Sequence, residues 1–173
     1  SKKHHVAVDV ETLGVRDNAV VLSIAVVQMR DLSTCCVYPN VLEQLATGRD
    51  YDMDTAVWWA SRSIPTQRAA FKVELWQPLE MVRVLMKELI TPETVVWQHG
   101  GRDAIWLNTL MGTPPLLGHI PFRNVMDTRV LRQFNLRPVE PYPKFTAHTA
   151  EGDALQLAGY LNKVAEAGFL NLD

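Results

Sequence analysis

The segment Val6-Ala7-Val8-Asp9-Val10-Glu11-Thr12-Leu13-Gly14 constrains the fold more than any other stretch of the chain. Its valines recur at every second position, the period of a β-strand, in which successive side chains point to opposite faces. Val6, Val8 and Val10 therefore share one face, and Ala7, Asp9 and Glu11 share the other. Two carboxylates stand side by side at the end of an otherwise apolar strand. Their repulsion is unfavourable unless a proton or a cation lies between them, and paired carboxylate oxygens suit hard cations such as Mg2+. Gly14 permits a tight turn where the strand ends. Taken alone, the acidic pair also fits an edge strand whose polar face is simply wet.

The 173 residues fit one domain, 1–173, and a hydrophobic content of 47% is ample for a packed core. No apolar run approaches the roughly 20 residues that a membrane span needs, and no signal-like apolar segment follows the first five residues. Cys35 and Cys36 are adjacent, so on a strand they point apart and do not favour a mutual disulfide. They also lack the CxxC spacing of a zinc site. A reducing, cytoplasmic compartment is the expectation. A formal net charge of -2 offers a polyanion no general attraction, so any phosphate-binding surface has to be local or metal-mediated.

Strands are predicted over residues 4–10, 19–29 and 34–38, joined by connections short enough for antiparallel neighbours. Residues 40–54 read as irregular, with Asp54 as N-cap of a helix that carries Val57, Trp58 and Trp59. A short helix follows Pro65. A longer one opens at Pro78 or Leu79, with Leu79, Val82, Leu85, Met86, Leu89 and Ile90 on one stripe. A fourth strand over 94–98 runs into His99-Gly100-Gly101-Arg102-Asp103 and a helix containing Ile105, Trp106, Leu110 and Met111. Residues 122–126 read as a fifth strand, with Asp127 capping a helix over 128–134. Residues 137–147 are rich in proline and read as a mobile loop. The final helix, over about 150–167, has an apolar stripe of Ala154, Leu157, Ala158, Leu161 and Ala165. The order predicts an α/β fold with a mixed five-stranded sheet flanked by helices.

Four acids and one histidine sit where chemistry is easily assembled. Asp9 and Glu11 end the first strand, Asp103 follows the fourth strand and a glycine pair, and Asp153 lies in the first turn of the last helix, five residues after His148. Each has an ordinary alternative. Asp103 suits a helix cap, Asp153 suits the positive end of a helix dipole, and His148 suits a solvated loop. Together, however, they occupy strand ends and helix starts that one cleft can gather. A cluster of that kind needs divalent metal, and two ions about 3.5–4 Å apart are a common arrangement for phosphoryl transfer. A histidine that titrates near neutrality can take the proton from an attacking water.

The segment 9–14 resembles the first motif of the DEDD 3′–5′ exonuclease superfamily, whose fold is ribonuclease H-like. His148-Thr149-Ala150-Glu151-Gly152-Asp153-Ala154 is similar to the HxAxxDA pattern of its DEDDh branch. With Asp103, Trp58-Trp59 and Met126-Asp127-Thr128-Arg129, residues 6–160 resemble the compact Rv2179c-like exonuclease group and its phage relatives. The middle motif departs from the family's frequent Asn-x-x-Phe-Asp, because His99 and Arg102 take the Asn and Phe positions. The resemblance implies two Mg2+ or Mn2+ ions held by Asp9, Glu11, Asp103 and Asp153. In it Asp9 bridges both ions, Glu11 and Asp153 complete the site that activates water, and Asp103 helps hold the second ion. His148 is implied as general base. Thr12 and Leu13 are implied to meet the terminal nucleotide. The implied substrates are 3′ ends of single-stranded DNA or RNA, the products 5′-mononucleotides, and a homodimer is an expectation.

Trp58 and Trp59 lie about 100° apart on a helix, so at least one packs in the core. The other is free to stack on a base, and Trp59 is the candidate for that contact. Arg62, Arg68, Arg102 and Lys144 are available to phosphates, but none is assigned. Two other readings stand beside the exonuclease: a catalytically weak domain of the same fold that binds nucleic-acid ends or a protein, and a ribonuclease H-like endonuclease.

Overall fold

The structure, a computed structural model, describes residues 3–136 and 148–172. Lys144 and the proline-rich stretch 137–147 lie outside the described residues. Six strands form one mixed sheet: β1 (His5–Thr12), β2 (Val21–Gln28), β3 (Thr34–Pro39), β4 (Trp76–Gln77), β5 (Val95–Gln98) and β6 (Val125–Asp127), in the order β4-β3-β2-β1-β5-β6. The pairs β1–β2 and β2–β3 are antiparallel, while β1–β5, β5–β6 and β3–β4 are parallel. β2 is buried at every position but its last, which explains its unbroken apolar run.

Helices cover both faces: α1 (Val41–Ala46), α2 (Met53–Ala60), α3 (Ile64–Phe71), α4 (Leu79–Leu89), α5 (Asp103–Leu110), α6 (Thr128–Gln133) and α7 (Ala150–Glu166). Val6, Val8 and Val10 pack with Val82 and Met86 of α4 and with Leu107 and Leu110 of α5. On the opposite face, Ala7, Ala25 and Val27 receive α7 through Ala150, Ala154, Leu157 and Ala158. The alanines let this helix lie close to β1. Leu161, fully buried on the same stripe, contributes about 2 kcal/mol by its burial. A third cluster of Val20, Leu22, Val41, Trp59 and Ala70 seats α1 to α3 at the end of β2. Among the described residues, no helix is long and apolar enough to cross a membrane.

The five-stranded expectation is corrected to six strands. β4 has two residues, Trp76 and Gln77, paired with Tyr38 and Pro39, and so short a strand displays no period. The irregular reading of 40–54 is also corrected. Asn40 accepts the Glu43 N–H and starts α1, and Gly48, at φ 86°, follows its C-cap. Gln44 in this helix brackets Val21, accepting its N–H and donating to its carbonyl at 2.8 Å each. Asp52, not Asp54, occupies the N-cap of α2. Residues 122–124 form a 3-10 turn, leaving only Val125–Asp127 as strand. Asp127 caps α6 by accepting the Arg129 N–H at 2.9 Å.

One detail of the sheet positions everything that follows. β1 stays paired with β2 as far as Thr12↔Val21, but its register with β5 ends at Ala7↔Trp97. Beyond that point the two parallel strands part, opening a slot at their carboxyl ends, where open α/β sheets place ligands.

Candidate metal centre

Asp9 and Glu11 project from β1 on the face that α7 covers. Their cross-strand neighbours, Ala25 and Ser23, are small and leave room around them. The first turn of α7 brings Asp153 to the same place, with Thr149 at the N-cap accepting the Gly152 N–H at 3.2 Å. One carboxylate oxygen from each of Asp9, Glu11 and Asp153 lies within 4.8 Å of the others.

Asp103 arrives from the other side of the slot. It is only 5% exposed, and its Oδ1 accepts the Val10 N–H at 2.8 Å. Arg102 holds the N-cap position of α5, so the Asp103 carboxylate reaches across to β1. Gln98 fixes this loop: its Nε2 donates to the Gly101 carbonyl at 2.9 Å, and its Oε1 accepts the Ala104 N–H at 3.1 Å. A Cβ at Gly101 would stand 2.6 Å from Asp103 Oδ2, so a larger residue here would have to displace the carboxylate.

No lysine or arginine among the described residues ion-pairs with these four acids. Burial, then the charges of Asp103, Glu11 and Asp153, hold the Asp9 carboxyl well above its usual range. Burial, then Asp153 and Asp103, push Glu11 up to about 7. Asp103 is also raised by burial, against the Val10 N–H that favours its anion. Asp153 is raised by burial and pulled back by the charge and backbone N–H of His148. Glu11 and Asp153 stand close enough, with an oxygen of each within 4.8 Å of the other, for each to raise the cost of ionising its neighbour. Concentrated negative charge of this kind, in an oxygen-only donor set, fits hard divalent cations.

His148 is exposed, with φ 59°, at the entrance to α7. Its ring centroid is 5.1 Å from that of Trp58, at an interplanar angle of 82°. Thr12 is buried, donates Oγ1–H to the Gly14 carbonyl at 2.7 Å, and lends its own carbonyl to Trp59 Nε1–H at 2.9 Å. Leu13 is half-buried beside Trp59. Trp59 itself is 2% exposed, so the expectation that its ring stacks on a base is corrected: the indole is wedged in the core and bonded to β1. Trp58, 37% exposed, is the outward member of the pair. Arg102 pairs with Asp17, and Arg62 lies over the Trp58 ring.

A cleft of about 330 Å³ adjoins the acids, lined by Asp9, His99, Arg132, Asp153, Gln156 and Tyr160. Two contributors were missed in the sequence. Gln98 was readable only as a strand residue, although a glutamine before Gly-Gly can tie both ends of a loop. Trp58 was readable only as one of two equivalent indoles.

No curated protein matches the chain significantly. Among solved structures, it is similar to product-bound exonuclease I at TM-score 0.60 and 12% identity, covering 96% of this chain and 44% of that one. It is similar to E. coli exonuclease I in complex with a dT13 oligonucleotide at TM-score 0.56 and 12% identity, with coverages of 95% and 40%. An exonuclease I–SSB C-terminus complex gives TM-score 0.60 and 11% identity, with coverages of 96% and 42%. The chain therefore spans about two fifths of these larger proteins, and at such identity they establish a shared ribonuclease H-like fold. The family model described as "3′-5′ exoribonuclease Rv2179c-like domain" matches residues 4–167, and the chain belongs to that family.

Proposed function

We propose that residues 1–173 form one exonuclease domain that removes nucleotides from the 3′ end of single-stranded nucleic acid, DNA or RNA, and releases 5′-mononucleotides. The carrying observation is the convergence of Asp9, Glu11 and Asp153 within 4.8 Å, with Asp103 behind them and His148 at the rim. Two divalent cations, Mg2+ or Mn2+, would acidify an attacking water and offset charge gathering on the phosphate. Asp9, Glu11, Asp103 and Asp153 are the residues that would hold them. His148 takes the proton of the attacking water through an imidazole nitrogen. A water oxygen–phosphorus bond forms and the phosphorus–O3′ bond breaks. The terminal nucleotide leaves with a 5′-phosphate, and the departing O3′ takes a proton from water to become the 3′-hydroxyl of the shortened strand. Thr12 and Leu13, at the end of β1, lie beside the acids, where the last nucleotide would sit.

The family's description supports RNA as a substrate, and the oligonucleotide-bound structure of exonuclease I supports single-stranded DNA. The free, half-buried thiols of Cys35 and Cys36 suit a reducing cytoplasm. The deciding experiment digests matched 5′-labelled RNA and DNA strands with Mg2+, with Mn2+ and with chelator. A ladder shortening from the 3′ end by single nucleotides, abolished reversibly by chelator, is expected. Internal cuts would point instead to an endonuclease, and bound but uncut ends to a binding domain. Sedimentation of the same sample reads whether two copies pair, as the family resemblance leads us to expect.

A further inference from the structure

Helix α2 ends in two adjacent indoles with different surroundings. Trp59 is locked in place: its Nε1–H bonds the Thr12 carbonyl, and its ring meets Phe71 edge to face at 6.1 Å. Trp58 packs against Trp59 at 4.9 Å and 81°. It then meets the His148 ring at 5.1 Å and 82°. A continuous aromatic chain thus runs from Phe71 through Trp59 and Trp58 to His148. One link is anchored to the backbone next to Glu11, and the far end touches the imidazole. The Arg62 guanidinium, 4.6 Å from the Trp58 centroid, braces the indole from the turn that follows α2.

The backbone N–H and charge of His148 act on Asp153, but neither fixes the plane of the ring. The His148 backbone sits in the left-handed region and its side chain is exposed, with the Trp58 indole against its ring. A free imidazole on such a loop samples several rotamers.

We propose that Trp58 is a positioning residue for His148. Its indole fixes the imidazole in the orientation from which it faces Asp153 and the attacking water. Through Trp59, the same contact ties the proton acceptor to the strand that carries Asp9 and Glu11. The inference rests on His148 being the base, as argued above. An edge-to-face contact biases a ring's orientation about 2- to 10-fold, and that is the scale of the effect expected on turnover.

The test compares wild type with Trp58→Ala, Trp58→Leu and Trp58→Phe. Histidine ring resonances are recorded by NMR without added metal, with the His148 signal identified by its loss in His148→Asn, because asparagine tolerates positive φ. In wild type the indole ring current displaces the His148 signal from its free position. In Trp58→Ala and Trp58→Leu it returns, and in Trp58→Phe it stays displaced. In the digestion assay the Ala and Leu variants lose about 2- to 10-fold in kcat with KM unchanged, and Phe restores most of the loss. Trp58→Leu fills the space without a ring, so it serves if the Ala variant folds poorly. A His148 resonance unmoved by either substitution overturns the proposal. So does a raised KM at wild-type kcat, which would make Trp58 a substrate platform. Wild-type turnover by His148→Asn overturns the base assignment itself, and the NMR arm still reports the ring contact separately.

Discussion

Replacing Glu11 by glutamine keeps the shape of the acidic cluster and removes one of its charges. In the folded protein, burial and the neighbouring Asp153 and Asp103 raise the Glu11 carboxyl from 4.5 to about 7. A raised carboxyl binds more protons in the folded state than in the unfolded one. Its burden on stability is therefore absent below about pH 4, grows as pH rises, and is complete above about pH 7. At about 1.36 kcal/mol per pH unit, ionised Glu11 costs about 3 kcal/mol at pH 8 and under about 1 kcal/mol at pH 5. For a chain of this size 1 kcal/mol moves the melting temperature by about 2–4 °C. In chelator at pH 8, Glu11→Gln should thus melt roughly 6–12 °C above wild type, and the gap should shrink to a few degrees at pH 5. Thermal melts followed by circular dichroism at both pH values read the difference directly. Coincident melts at pH 8, or a gap that widens on acidification, would refute the view that mutual repulsion strains this cluster.

Mn2+ or Mg2+ should raise the wild-type melting temperature at pH 8, by about 2.7 kcal/mol of stability at a hundredfold excess over Kd. Glu11→Gln should gain clearly less, and calorimetric melts across a cation titration check this. Asp103→Asn keeps an acceptor for the Val10 N–H and should melt at or above wild type in chelator. Asp103→Ala orphans that N–H and should fall below Asp103→Asn by about 1–3 kcal/mol. Both should stop digestion, and denaturant titration separates their stabilities. Trp59→Phe deletes the bond to Thr12 and should cost about 1 kcal/mol or more with KM untouched, since the ring is core. A changed KM at unchanged stability would restore Trp59 as a substrate contact.

Much of this arrangement was legible because it is local. Alternation in residues 6–11 set Asp9 and Glu11 on one face of β1, and the stripe from Ala154 to Leu161 set α7 against that face. Proline at 65 and the acid at 127 marked helix starts where the chain uses them. What was hidden depends on distant partners. β4 and α1 are too short to carry a period, and each exists because a neighbour completes it: β3 pairs with the one, and the buried Gln44 docks the other on Val21. A 100° offset shows that two adjacent indoles differ, but which one turns inward was decided by the Thr12 carbonyl and Phe71. The same holds for Asp103, which suits a cap by sequence and is recruited to β1 by a strand edge 93 positions away.

Where β1 and β5 separate, Asp103 stands in for a missing strand, giving a peptide group the acceptor that a carbonyl would otherwise supply. If Asp103 helps hold the proposed cations, sheet integrity and cation affinity draw on a single side chain. Whatever occupies the cleft must register in the protection of one amide proton, that of Val10. Its deuterium uptake would report loading of the centre without any substrate being cut.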